Sequence, residues 1–539
     1  MTKLFEASWR DKYQFFERYF DTELNRSFTS EVTCPYEWYE PSSKGLYTYI
    51  LDPSIKLEKR QGNAKQGRDH YGFLDPMYRN IRDNYWGKGK YNLKPRIWYI
   101  DIETRVGQNS TGFPVAERAA EQISMFQIYD NKEDIIIMLG LRDWKHMEDY
   151  RPKMDKPVRY IKFNNEFEMI EAYLNIFKKL DPLMLYAWNG EVFDFPYIYN
   201  RLKQLGFDTN RLSNHGKATM TQKEFQGQME FNLKVDGHFY MDLMKVYQKF
   251  TFAPRASYSL DYIAEVEIGE KKVPHPEYAG FDDFYTGKYI IPSNPSEEQK
   301  ESKIYQEAIK NGVNDEVREL AHSEFCYYSY KDPLLIYKID KKLNFTTLML
   351  MIADKMGVTI ADSMGTVKPW AQYIANRSIQ DQKVMPMKQE HDHPYVVGGY
   401  VRDPQKGKHK WILSADVNSM YPLLGMVGFN MSPETFIPKH ELPSDLRDIV
   451  LSYFNDQFEE KRLNLPPEVW ETTSELLKEH NISLGINGAA FSKDYLGMIP
   501  EMVQEIYDAR KSDKNTMIDY KKRKVLIKDI LSHRNDEAA

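Results

Sequence analysis

The chain has almost no cysteine. Cys34 and Cys326 stand far apart, so neither a disulfide framework nor a thiolate zinc site is possible, and a reducing, intracellular setting is expected. Long apolar runs are missing too. The longest, at residues 348–353, is far too short to span a bilayer, and the opening MTKLFEASWRDKYQFF lacks the positive-then-apolar layout of a secretion signal. Positive charge is in deficit, with a formal net charge of −6, which excludes a uniformly basic surface but not local ones. Basic clusters fall at 88–96, at 402–410 and, most densely, on a helical stretch at 510–528. Each reads as a solvated face or as a track for a polyanion. Internal repeats and low-complexity tracts are absent, which excludes solenoids and compositional tails.

A length of 539 residues exceeds what a single core organises, so roughly two to four domains are expected. The 38 tyrosines serve either as aromatic core filling with wet hydroxyls or as stacking platforms for bases. Residues 1–95 mix short strand-like runs with turns, and WYEPSSKGLYTY predicts a hairpin. From residue 96 the text changes. RIWYIDIET, QISMFQIYD and DIIIMLG read as strands, KFNNEFEMIEAYLNIFKKL as an amphipathic helix, PLMLYAWN as a strand and FDFPYIYNRLKQL as a helix. This alternation predicts an α/β domain around a mixed sheet. Helical periodicity continues in SEEQKESKIYQEAIKNG and AHSEFCYYSYKDPLLIYKIDKKL. A connector at about 380–394 leads to YVVGGYV, to the basic turn RDPQKGKHK and to WILSADV, which reads as a strand. The remainder is helix-rich, ending in a long helical run from about residue 500.

Three acidic pieces carry chemistry. In Ile100-Asp101-Ile102-Glu103, residues two apart on a strand share a face, so both carboxylates project together while the isoleucines enter the other layer. By itself this is a solvated strand end or one wall of a cation site. Asn189 through Asp194 ends a strand and begins a helix, and reads as a loop with a helix start or as two groups facing a cleft. Tyr328 and Asp332 stand one helical turn apart, placing a hydroxyl beside a carboxylate. Phosphodiester hydrolysis joins the pieces: it needs an activated water and a neutralised leaving oxygen, and two divalent cations about 4 Å apart supply both. An oxygen-only donor set from Asp101, Glu103, Asp194 and Asp332 suits Mg²⁺ or Mn²⁺, with Tyr328 orienting the water.

On these motifs the sequence resembles the proofreading exonuclease of family B DNA polymerases, particularly those of T4-like bacteriophages. The Asp-Ile-Glu motif is Asp101-Ile102-Glu103, the Asn-x-x-x-Phe-Asp motif runs from Asn189 through Phe193 to Asp194, and the Tyr-x-x-x-Asp motif is Tyr328 to Asp332. Tyr258-Ser259-Leu260 is also typical of the family, whereas the chain between Glu265 and Ala321 is longer than expected. The resemblance implies an α/β multidomain chain. A small N-terminal α+β domain (1–95, completed by 341–376) precedes a ribonuclease H-like exonuclease domain (96–340), a partial palm (377–495) and the start of the fingers (496–539). Asn189 and Phe193 are implied as DNA contacts, and the exonuclease site as one for two Mg²⁺ or Mn²⁺ ions.

A second site is only begun. Asp416 ends the expected strand WILSAD, and Asp416 with Tyr421 read on their own as a turn-stabilising acid and a core aromatic, or as a metal ligand beside a sugar pocket. DVNSMYP resembles motif A of the same family, which makes Asp416 a metal ligand and Tyr421 the gate against a 2′-hydroxyl. YVVGGYV resembles the connector that guides template, placing Gly398 and Gly399 near the DNA backbone. Arg510 and Lys514 share a helical face and resemble the family's triphosphate-binding pair; a merely basic, exposed helix is the alternative. Neither the Lys-x-x-x-Asn-Ser-x-Tyr-Gly fingers motif nor the Asp-Thr-Asp palm hairpin follows. The expected partners are therefore primer-template DNA, a single-stranded 3′ end, deoxynucleoside triphosphates, a second chain carrying the missing motifs and a sliding clamp, in the cytoplasm of an infected bacterium. A stand-alone 3′ to 5′ exonuclease and a noncatalytic DNA-binding module are the alternatives.

Overall fold

The computed structural model describes residues 3–11, 14–62, 70–87, 93–106, 114–225, 228–251, 253–387, 402–416, 419–454 and 465–537. The chain divides into two units, one from residues 1–35 and 75–373, the other from 36–74 and 374–539.

In the first unit the four predicted strands and two unpredicted ones, at Val158–Lys162 and Phe239–Asp242, form a six-stranded mixed sheet. They are β1 (Ile97–Thr104), β2 (Ile123–Asp130), β3 (Ile135–Gly140), β4 (Val158–Lys162), β5 (Met184–Ala187) and β6 (Phe239–Asp242), in spatial order β4-β3-β2-β1-β5-β6. β1 is an interior strand, antiparallel to β2 and parallel to β5, so its side chains are held by backbone pairing on both edges. Its period-2 alternation sorts them. Trp98, Ile100 and Ile102 enter a core with Phe126, Ile128, Phe177, Leu185 and Phe195. Much of that core comes from α1 (Glu166–Leu180), started by the Asn165 side chain accepting from the Glu168 amide, and from α2 (Asp194–Gln204). Buried Trp98 keeps its indole N–H satisfied by donating to Asp130 Oδ2 at 2.7 Å.

The other face of β1 carries Tyr99, Asp101 and Glu103. Two further helices matter there: α3 (Phe281–Thr286) and the 29-residue α4 (Asp315–Leu343). The Tyr99 hydroxyl donates to Asp340 Oδ2 at 2.6 Å, and the Tyr337 ring packs on both Tyr99 and Tyr129, so α4 is fixed across this face. Strands Lys3–Asp11, Gln14–Asp21 and Arg26–Val32 form an antiparallel meander in the same unit.

The second unit contains a five-stranded sheet in the order Lys383–Val384, Tyr47–Tyr49, Asp52–Gln61, Glu37–Pro41, Tyr71–Leu74. The hairpin expected in WYEPSSKGLYTY does not form. Glu37–Pro41 and Tyr47–Tyr49 both pair with Asp52–Gln61, which is long enough to lie between them and serve each on a separate edge. The intervening turn passes so close that a Cβ on Gly45 would meet the Leu57 carbonyl oxygen at 2.3 Å, which requires glycine. Helices Ser444–Tyr453 and Pro467–Glu479 close a small core around Leu446, Val450, Ile482 and Ala490. The predicted terminal helix is continuous over 40 residues as α5 (Met498–Glu537). The strand expected in WILSADV is absent: residues 411–416 pair with no described strand, and Trp411 is fully exposed with a left-handed backbone, φ 57°. No described helix is long and apolar enough to cross a membrane.

Candidate metal centre

Four carboxylates reach one cleft from three directions. Asp101 and Glu103 come from β1, Asp332 from α4, and Asp194 from the first turn of α2. Carboxylate oxygens of Asp101, Glu103 and Asp332 all lie within 4.8 Å of one another. Asp194 joins them closely enough that its charge acts on Asp101, and the backbone amides of Ile102 and Asp194 face its carboxylate. The three sequence pieces, drawn from positions up to 231 residues apart, are thus one constellation.

The loop between β5 and α2 is tightly specified. Asn189 adopts a left-handed backbone, φ 63°, and its amide donates to Asp242 Oδ1 at 2.9 Å at the end of β6, beside Ala187 in parallel register. The Asn189 carbonyl in turn accepts from the amides of Val192 and Phe193. This compact turn leaves Asn189 and Phe193 half-buried and starts α2 with Asp194.

Burial, followed by the neighbouring carboxylates, pushes the protons onto this cluster. Desolvation and then the charges of Asp194, Asp332 and Glu103 hold Asp101 well above the usual carboxylate range. Glu103 is pushed up to about 8, by burial and then Asp332, although Lys272 and a hydrogen bond from Ser329 oppose the rise. Asp194 rises to about 7 through burial, and Asp332 is also raised by burial.

Among the described residues one cation serves this group directly. Lys272 Nζ donates to Asp332 Oδ2 at 2.6 Å and to the Tyr328 phenol oxygen at 3.2 Å. Burial works against its charge, but attraction to Asp332, Tyr328 and Asp101 outweighs it and holds Lys272 protonated. Because the phenol oxygen of Tyr328 accepts from Lys272, its own O–H remains able to donate. Burial and Asp332 keep that phenol well above its ordinary pKa, hence protonated. Asp332 Oδ1 is buried without hydrogen-bond geometry to any described group. Four carboxylates against one lysine, an unspent buried oxygen and a donor set with neither sulfur nor imidazole fit hard divalent cations.

Sequence reasoning missed two members. Ser329 donates to Glu103 Oε1 at 3.1 Å, tying α4 to β1; it lay inside the Tyr328 to Asp332 motif, three residues before Asp332 on the same helical face. Lys272 had no local signal. A charge count would have demanded a cation near four acids, but nothing in the spacing selects one 60 residues from Asp332.

The remaining predicted residues form no comparable site. Asp416 is exposed, Tyr421 is 76 % exposed at the start of a wide helical turn (Met420–Gly428), and Arg510 and Lys514 are exposed one turn apart on α5. Among the described residues no hydrogen bond or ion pair joins any two of these four. Gly398 and Gly399 lie outside the described residues.

A second group, Asp181, His215 and His238, has ligand-like spacing but is already satisfied. His238 lies 2.6 Å through Nδ1 from the Pro182 carbonyl and accepts at Nε2 from the Asn214 amide, while burial lowers its pKa to about 3. The Arg18 guanidinium sits 3.0 Å from Asp181 Oδ2 and 3.1 Å from His215 Nε2, taking the position of a cation.

Two family models match the chain: DNA polymerase family B, exonuclease domain, over residues 78–263, and DNA polymerase family B over residues 367–534. The first range contains Asp101, Glu103, Asn189, Phe193 and Asp194, the second Asp416, Tyr421, Arg510 and Lys514. Lys272, Tyr328 and Asp332 fall between them. The chain is 26% identical to the DNA-directed DNA polymerase of Escherichia phage RB69 over 559 residues, covering 96% of this chain and 54% of the relative. It is 24% identical to the DNA-directed DNA polymerase of Enterobacteria phage T4, covering 68% and 39%. A DNA polymerase of Thermococcus litoralis is 23% identical, covering 63% and 17%. The chain spans about half the length of the RB69 relative and less of the other two.

Proposed function

We propose, from the premise that this chain belongs to DNA polymerase family B, that it is the proofreading portion of a phage replicative polymerase. In this reading it removes nucleotides from DNA 3′ ends at the Asp101, Glu103, Asp194 and Asp332 cluster. The observation that carries the reading is the convergence of these carboxylates with a lysine-held tyrosine. Residues 96–340 are then a ribonuclease H-like exonuclease domain, preceded by an N-terminal domain at 1–95 that 341–376 complete. Residues 377–495 are a partial palm and 496–539 the start of the fingers.

Divalent ions bound here, Mg²⁺ or Mn²⁺ by the oxygen-only donor set, supply Lewis acidity for the attacking water and for the leaving 3′ oxygen. The protein's own groups do the rest. Asp101, Glu103, Asp194 and Asp332 hold the ions; Ser329 fixes one Glu103 oxygen so that the other faces the cleft. Tyr328, its oxygen anchored by Lys272, presents its O–H to orient water beside the scissile phosphate. The Lys272 charge opposes the negative charge that builds on the phosphoryl oxygens. Asn189 and Phe193 contact the terminal nucleotides, the ring offering a face for stacking. Selectivity follows from energy rather than a base code. A mismatched end frays more cheaply than a paired one, so it enters the cleft more often.

Synthesis is a further step in the same reading. Asp416 as metal ligand, Tyr421 as sugar gate, and Arg510 with Lys514 as triphosphate contacts are half of a polymerase site, with Gly398 and Gly399 along the template path. No opposing carboxylates are among these residues, and the setting proposed is the cytoplasm of an infected bacterium. The exposure of all four described residues favours exonuclease activity as what this chain does unaided.

The test is degradation of a 5′-labelled single strand. Mg²⁺-dependent shortening from the 3′ end is expected, abolished by chelation and restored by Mg²⁺. Asp101→Ala or Asp332→Ala should each cost more than about 100-fold, since even residues that only support metal ligands cost 10- to 100-fold. Undiminished cleavage by both variants would place the chemistry elsewhere.

A further inference from the structure

Tyr328 does not hold its own position. Its ring is enclosed by three others from residues 275–284: His275 at 5.4 Å and 81°, Phe281 at 5.7 Å and 66°, and Phe284 at 6.0 Å and 72°. These rings also brace one another, His275 stacking on Phe284 at 5.1 Å and Phe281 meeting Phe284 edge-on at 6.4 Å. Edge-to-face packing on several sides leaves a phenol one rotamer, which an exposed or singly packed tyrosine lacks.

The same segment is tied to two of the three elements that deliver carboxylates, β1 and α4. Towards β1, Arg105 donates to Asp282 at 2.5 Å through Nε and 3.3 Å through Nη2, and its guanidinium lies 4.7 Å over the Tyr285 ring. Towards α4, the Tyr278 hydroxyl donates to Glu324 Oε2 at 3.0 Å, and Phe281 and Tyr285 both pack on Phe325. Gly287, φ 78°, lets the chain leave α3 directly against Arg318, where a Cβ would meet backbone at 2.6 Å. Lys272, at the head of the segment, makes the one direct contact with the carboxylates. The stretch lies between the two family-matched ranges.

We propose that residues 272–287 are a positioning brace for the exonuclease site. In it, Phe281 with His275 and Phe284 locks the Tyr328 phenol in place, and the Arg105–Asp282 pair ties α3, packed on α4 through Phe281 and Tyr285, to the end of β1. The brace acts through Tyr328, never through DNA. This deepens the exonuclease reading and rests on it.

The test combines kinetics with a probe that needs no metal. Single-turnover cleavage of a single-stranded oligonucleotide is measured for Phe281→Ala, Tyr328→Phe and the double variant. Phe281→Ala should lower the rate about tenfold at saturating DNA, as a small misplacement near reacting atoms does, with half-saturation unchanged. Phe281→Tyr should recover the rate, and the double variant should be no slower than Tyr328→Phe alone. Phe281→Leu, which keeps the core filled, repeats the test if the alanine variant unfolds. In parallel, 3-fluorotyrosine placed at position 328 should give a fluorine resonance displaced from that of free fluorotyrosine, moving towards it in Phe281→Ala without any metal. Losses that multiply in the double variant, or an unmoved resonance, would overturn the brace. A wild-type chain that cleaves nothing would overturn the exonuclease reading, while the resonance would still decide whether the segment holds Tyr328.

Discussion

At the scale of single residues, the cluster is a store of unfavourable charge that a ligand is expected to relieve. Glu103 at about 8 and Asp194 at about 7 both sit above their ordinary values of 4.5 and 3.8, chiefly because burial penalises their charged forms. Between about pH 4 and pH 8 the folded chain therefore binds protons that the unfolded chain has already released. Metal-free stability should fall as pH rises through that window. Divalent cations reverse the sign of the local interaction, so the Mg²⁺-induced rise in Tm should be larger at pH 8 than at pH 5.5. Binding near pH 6.5 should also release protons, seen as a buffer-dependent heat in calorimetry. A Mg²⁺ stabilisation independent of pH would show that these carboxyls are not the ones bound. Lys272 belongs to the same balance, because it partly neutralises Asp332 in a place where water cannot.

At the scale of elements, each member of the site is held by a device particular to its element. On β1 it is interior pairing, which makes the projection of Asp101 and Glu103 a consequence of strand geometry. On α4 it is one-turn spacing, followed at once by Pro333, which cannot donate to the Ser329 carbonyl. On the β5–α2 loop it is close packing. A Cβ on Gly190 would lie 2.5 Å from Ala187 Cβ and 3.0 Å from the Phe195 ring, both fully buried. Gly190→Ala should therefore lift the loop that carries Asn189 and Asp194. A destabilisation of about 1–3 kcal/mol is expected in urea unfolding, with a larger proportional loss of cleavage than of DNA affinity. Equal losses would mean that the loop serves binding alone. These elements were legible wherever periodicity was strong, as in Ile97–Thr104, Glu166–Leu180 and Asp315–Leu343. Legibility failed where a partner decides the outcome: Trp411 to Asp416 reads as a strand but pairs with no strand among the described residues, and two short strands of the expected hairpin were separated by a longer one.

At the scale of the whole molecule, the two units differ in how complete their chemistry is. The first gathers four carboxylates, a tyrosine and a lysine. In the second, Asp416, Tyr421, Arg510 and Lys514 stay in solvent, and α5 carries exposed Val525, Leu526, Ile527, Ile530 and Leu531 beside its lysines. Apolar side chains exposed along one helix are normally covered in a working assembly. With primer-template, Mg²⁺ and all four deoxynucleotides, the chain alone should only shorten the primer. Adding a polypeptide with the remaining palm and fingers motifs should convert shortening to extension and raise the Tm. Extension without that addition would show that the polymerase half is already sufficient.

The sequence by itself determined which residues bear charge and in what local geometry: paired carboxylates on a strand, a tyrosine and an aspartate one turn apart, an asparagine before a helix. Those follow from backbone periods of 2 and 3.6, which act over a few residues. Only the tertiary structure decided that the three pieces share a cleft, that Ser329 bridges α4 to β1, and that Lys272 and the rings at 275–284 complete the site. Such contacts depend on strand order and helix docking, and these are fixed by the burial of side chains far apart in the chain rather than by any local pattern.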